Sequence, residues 1–93
     1  MVIGILLVHL YLPDSDSLKA KRQIIHSLKA RLKNQFNISI SEISMCNRIK
    51  EAKIGITCIS NDGRCVDSQF SQIMKKINAN SKIEVIDYST QKI

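Results

Sequence analysis

Five side chains stand at spacings that place them on one line. Lys19, Arg22, His26, Lys29 and Lys33 follow one another at i, i+3, i+7, i+10 and i+14. At about 100° per residue this gathers them within roughly a quarter turn of a helix, in a row about 20 Å long. Cations one helical turn apart roughly match successive phosphates of a nucleic-acid strand. No acidic residue occurs between Ser17 and Ser41, so nothing in the segment offsets the row. An ordinary surface helix interleaves Glu with Lys at i, i+4 for stability, and this one does not. His26 lies in the row, so contact with a polyanion should strengthen on mild acidification. Lys21 and Arg31 project toward the apolar side and its far edge, and would have to snorkel outward to add their charge. They complete the candidate nucleic-acid-binding set.

Other chemistry is harder to assemble. Cys46, Cys58 and Cys65 form an odd set without a C-x-x-C pair, which argues against a disulfide framework. His9 and His26 are remote in sequence from the cysteines, so no metal site is expected. The reading is a reduced, cytoplasmic protein with two half-buried thiols and one loop thiol. Asp14 and Asp16 stand where a helix begins and suit the positive end of its dipole. No nucleophile–base pair or phosphate-binding glycine pattern stands out, and Leu12 to Ser17 lacks the arginine that an acylphosphatase places in its first loop. A binding protein without catalysis or cofactor is therefore expected. Lys53 to Thr57 carries no aromatic side chain for base stacking, and a GXXG loop is missing. The expected contact is with the shape and charge of structured RNA or a ribosomal particle.

The elements that must position these residues follow from periodicity. Ninety-three residues suffice for one domain, 1–93. With 14 Lys and Arg against 8 Asp and Glu, the net charge is +6. At 24% charged and 44% hydrophobic, the chain is neither disordered nor membrane-embedded in bulk. Val2 to Leu12 is apolar on both parities, as in a central strand. At about eleven residues it is too short to span a bilayer as a helix, and it lacks the flanks of a signal peptide. Pro13 ends it, and Asp14 to Ser17 offer N-caps for a helix over Leu18–Gln35. A strand over Ile38–Met45 switches parity near Ser41 and Glu42, which suggests a bulge. Ala52–Ser60 alternates cleanly. Asp62 can cap a second helix, whose stripe is Val66, Phe70, Ile73 and Ile77, and a last strand is expected over Lys82–Tyr88.

The order βαββαβ folds most readily as an α+β ferredoxin-like sandwich, a four-stranded antiparallel sheet with both helices on one face. The other face would show Ile3, Ile5, Leu7, His9 and Tyr11 beside Gly55, Thr57 and Ile59. An apolar patch of this size calls for a cover. A homodimer is expected, with the C-terminal tail as an alternative cover. Two other readings use the same architecture: a dimeric small-ligand-binding or regulatory module, and a protein-interaction module working through the open sheet face.

The chain also resembles the YlxP-like family, small bacterial proteins catalogued as a domain of unknown function. The resemblance covers nearly the whole chain. It rests on Val2 to Leu6 running on to Leu12-Pro13, on Ser17-Leu-Lys-Ala-Lys-Arg22, on Phe36-Asn-Ile-Ser39 with Glu42, and on Ala52 through Gly55 and Ile56 to Asp62. It implies the ferredoxin-like fold. Genes of this family commonly lie near translation initiation factor two and ribosome-binding factor A, which implies a link to translation or ribosome maturation. Three departures stand out. Ala20 replaces a glutamate that would complete a capping box with Ser17. Asn47 and Ile49 stand where relatives tend to carry an acid and a tryptophan, and Leu7 and His9 where they often carry polar residues.

Overall fold

The first strand organises the molecule because it pairs along both of its edges. In the computed structural model, which describes residues 1–93, β1 spans Val2–Tyr11 and β3 spans Glu51–Ser60. They pair antiparallel from Val2↔Ser60 to Tyr11↔Glu51. β2 (Ser39–Ser44) flanks β3, and β4 (Glu84–Lys92) flanks β1, giving the order β2-β3-β1-β4. Helices α1 (Leu18–Gln35) and α2 (Gly63–Asn78) complete the expected βαββαβ ferredoxin-like arrangement. Leu6, Val8, Leu10 and Leu12 meet Ala52, Ile54, Ile56 and Cys58 on the helix side, all of them buried. From α1 come Ile25, Leu28 and Leu32; from α2, Val66, Phe70, Ile73 and Ile77. Each such side chain contributes about 1.5–3 kcal/mol by leaving water.

The caps form where local chemistry places them. Ser17 accepts from the Ala20 amide at 3.0 Å, and Asp62 accepts from the Arg64 amide at 2.9 Å. β2 is shorter than its expected span, and its register shifts between Glu42 and Ser44, beside the anticipated bulge. β4 starts two residues late and runs on to Lys92. Its side chains are nearly all exposed, and hydrophobic pattern carries no record of its outer part, Ser89 to Lys92. Backbone pairing along β1 builds it instead, closing with reciprocal Ile3–Ile93 hydrogen bonds of 2.9 Å each. The C-terminal residues thus extend the sheet edge rather than folding over its open face.

The thiols also differ from expectation: Cys46 and Cys65 are exposed and Cys58 is buried. Burial pushes the Cys58 thiol above its ordinary range, although a backbone hydrogen bond with Gly4 pulls the other way. It therefore stays protonated and packs as a small apolar group.

Gly4 lies directly beneath Val66 and Phe70 of α2. A Cβ there would collide with Val66 Cγ1 and lie 2.9 Å from Phe70 Cζ. Gly4→Ala should therefore cost about 2 kcal/mol and lower Tm by about 10 °C in a thermal melt. An unchanged Tm would show that α2 has room to retreat.

Candidate nucleic-acid interface

α1 is held in place by a lysine. Lys21 faces the loop after β2, is 1% exposed, and does not snorkel. Its Nζ donates to Met45 O at 2.5 Å and to Arg48 O at 2.7 Å, and lies 3.0 Å from Glu42 Oε2. The carboxylate contact is an ion pair off hydrogen-bond alignment, and Oε2 has no other donor. Met45 adopts φ 65°, a left-handed conformation uncommon for a side chain of its kind, as the loop turns its carbonyl toward Lys21. Two further ties fasten the same loop. Buried Ser15 donates to Ile49 O at 2.7 Å, and Lys50 Nζ donates to Pro13 O at 2.7 Å. Lys21 is thus removed from the expected phosphate-contacting set: its ammonium is committed inside the fold.

With Lys21 turned inward, the row of cations faces out. Lys19, Arg22, His26 and Lys33 are exposed, and Lys29 is half-buried. None takes part in an ion pair; only Lys21, Arg48, Arg64 and Lys92 among the lysines and arginines do. Exposed cations without a carboxylate partner repel one another and are available to an anion. Arg31 stands apart from the row. It lines a groove of about 460 Å³ on the opposite flank of α1, with Gln23, Ser27, Lys82 and Asp14. Lys76 joins Arg31 on an adjoining stretch of that flank. The sequence pattern of α1 could not reveal Lys76 and Lys82, because they come from α2 and the turn after it.

The open sheet face is where it was expected. Ile3, Ile5, His9 and Tyr11 are half-buried, while Leu7 is 38% and Ile59 63% exposed. Ile3 pairs with Ile59 on one side and Ile93 on the other, a cross-strand isoleucine row with exposed ends, whose third member the sequence reading missed. Ile43 also belongs here: a Cβ on Gly55 would lie 3.1 Å from it and 3.7 Å from Leu7. At the other end, His9 Nε2 lies 3.1 Å from Glu51 Oε1, and Arg48 donates to Glu51 Oε2 at 3.0 Å. No group of three or more His, Cys, Asp or Glu gathers as metal ligands, and no helix is long and apolar enough to cross a membrane.

Comparison with known proteins places this geometry in context. A family model described as "Protein of unknown function (DUF503)" matches residues 3–90. The uncharacterized protein YlxP of Bacillus subtilis (strain 168) is 30% identical over 71 residues, covering 76% of this chain and 77% of YlxP. Among solved structures, a REP-associated tyrosine transposase bound to a REP hairpin superposes with a TM-score of 0.53 at 14% identity, over 98% of this chain. LarC2, the C-terminal domain of a cyclometallase involved in synthesis of the NPN cofactor of lactate racemase, gives 0.49 at 12% identity over 100% of this chain. The chain spans 55% of each of those solved chains. Identity this low speaks for a shared fold alone, and for the transposase only.

Ser17 and Lys21, from the Ser17-Leu-Lys-Ala-Lys-Arg22 element of the sequence resemblance, form with Glu42 the cap and clamp of α1. Lys21→Met leaves two loop carbonyls and a carboxylate without their cation, and should cost about 3 kcal/mol in denaturant unfolding. Lys33→Met, on the wet flank, should cost about 0.5 kcal/mol or less. Equal losses would mean that the clamp contributes nothing particular to stability.

Proposed function

The chain belongs to the DUF503 family of proteins of unknown function, and we propose that it is a cytoplasmic RNA- or ribosome-associated accessory protein that docks α1 on phosphate backbone. One observation carries this reading: the row of Lys19, Arg22, Lys29 and Lys33 with His26 has no ion-pair partner anywhere in the fold. A row of charge left uncompensated along about 20 Å fits a polyanion better than a small ligand. The reading is of binding rather than catalysis. The glutamates nearest to possible proton-transfer partners are engaged structurally, Glu42 with Lys21 and Glu51 with His9 and Arg48. The expected behaviour is steep loss of RNA affinity with salt, with a log–log slope of about −3 for four neutralised phosphates. Combining Arg22→Glu, Lys29→Glu and Lys33→Glu should abolish binding in fluorescence anisotropy while circular dichroism stays native. Undiminished binding by the triple variant would reduce the row to a solvated face.

The isoleucine row favours a second reading for the opposite surface, contact with another copy of this chain. Four strands about 4.8 Å apart and ten residues at about 3.3 Å make a face of roughly 600 Å², near the low end for a stable pair. Ile3, Ile59 and Ile93 supply its apolar centre at one end. Light scattering should then find a concentration-dependent dimer, and Ile59→Lys should return it to monomer. A wild-type monomer at high concentration would sink this reading and leave the α1 proposal untouched.

A further inference from the structure

Resting on the α1 reading above, we propose that the bound nucleic acid is double-helical RNA, with α1 lying as a ridge in its minor groove. The argument begins with what covers α1. Between the cation row and Arg31 around the helix lie Gln23, Ser27, Ala30 and Asn34, all exposed and all uncharged. On one side of that crest runs the row from Lys19 to Lys33; on the other stand Arg31, Lys76 and Lys82. None of these three is in an ion pair, and the only acid lining their groove is Asp14. A neutral crest between two cationic flanks is not the surface of a single-strand track, which needs one line of charge and aromatic platforms for stacking. It is the surface of a ridge that meets two phosphate rows at once.

A helix with side chains is about 10–12 Å across, so the two flanks are separated by about that distance. In A-form RNA the major groove is deep and too narrow for side chains to read, whereas the minor groove is wide, shallow and lined by 2′-hydroxyls. The crest is suited to that floor. Gln23 and Asn34 carry amides that both donate and accept, Ser27 a hydroxyl that does both, and Ala30 allows close approach. Each can pair with a 2′-hydroxyl, itself donor and acceptor, without reading base sequence. Asp14 then sits at the end of the far flank, where its charge would repel a phosphate and so limit how far the duplex extends past the helix start.

Anisotropy titrations with a 16-base-pair RNA duplex, the same sequence as DNA duplex, and one of its RNA strands alone provide the test. The RNA duplex should bind at least tenfold tighter than either alternative. Arg31→Glu with Lys76→Glu should weaken duplex binding as severely as Lys29→Glu with Lys33→Glu, and each pair should keep a native circular-dichroism spectrum. Gln23→Ala with Asn34→Ala should erase most of the preference for RNA over DNA duplex while leaving DNA affinity unchanged. Equal or tighter binding of the single strand would overturn the ridge model and leave the phosphate-backbone reading standing. Equal affinity for RNA and DNA duplexes, or indifference to the Arg31 and Lys76 changes, would likewise overturn it. Failure to bind any of the three would overturn both readings.

Discussion

A charge taken out of water dictates its surroundings. The Lys21 ammonium is almost wholly buried, and leaving such a group unsatisfied would cost several kcal/mol. Two loop carbonyls and the Glu42 carboxylate must therefore come to it. That requirement fixes the path of the 45–48 loop, holds Met45 in its left-handed conformation, and sets the angle at which α1 is rolled on the sheet. The roll matters most for function. On a helix, turning one residue inward decides what every other residue faces, and here it turns the cation row outward on one flank and Arg31 outward on the other. The buried lysine and the exposed ones are one arrangement.

The sheet divides the molecule into two unlike surfaces. Above it lie the helices with their unpaired cations; below it lies a half-apolar face ending in the Ile59–Ile3–Ile93 row. Because these surfaces are on opposite sides of a single layer of strands, occupation of one does not obstruct the other. Two copies joined by their sheets would present two α1 ridges pointing away from each other, a geometry suited to bridging separate polyanion segments.

Legibility in the sequence followed burial. β1, β3 and both helices could be read because alternation and helical spacing record which side chains leave water. β4 could not be placed fully: its outer half is an exposed edge held by backbone hydrogen bonds, to which any polar side chain is indifferent. The direction of Lys21 was visible in its helical position, but its destination was not, since the loop carbonyls that receive it are backbone groups without sequence identity. The same limit hid Lys76 and Lys82, which approach Arg31 only through the packing of α2 against α1. Projection within one element finds a face. Assembly between elements finds a groove.

The position of β1 also shapes how the chain reaches this structure. Both of its neighbours, β3 and β4, lie far downstream, and the last pairing joins Ile3 to Ile93. The most apolar strand is therefore synthesised ahead of both its partners, the nearer of which begins at Glu51. Such non-local pairing makes folding slow relative to helical proteins of equal size. In that interval, α1 cannot be pinned either, because the loop that receives Lys21 has not yet been made. A nascent chain of this sequence passes through a stage in which its stickiest segment and its most basic segment are both exposed, and its first polyanionic neighbour is the ribosome that is making it.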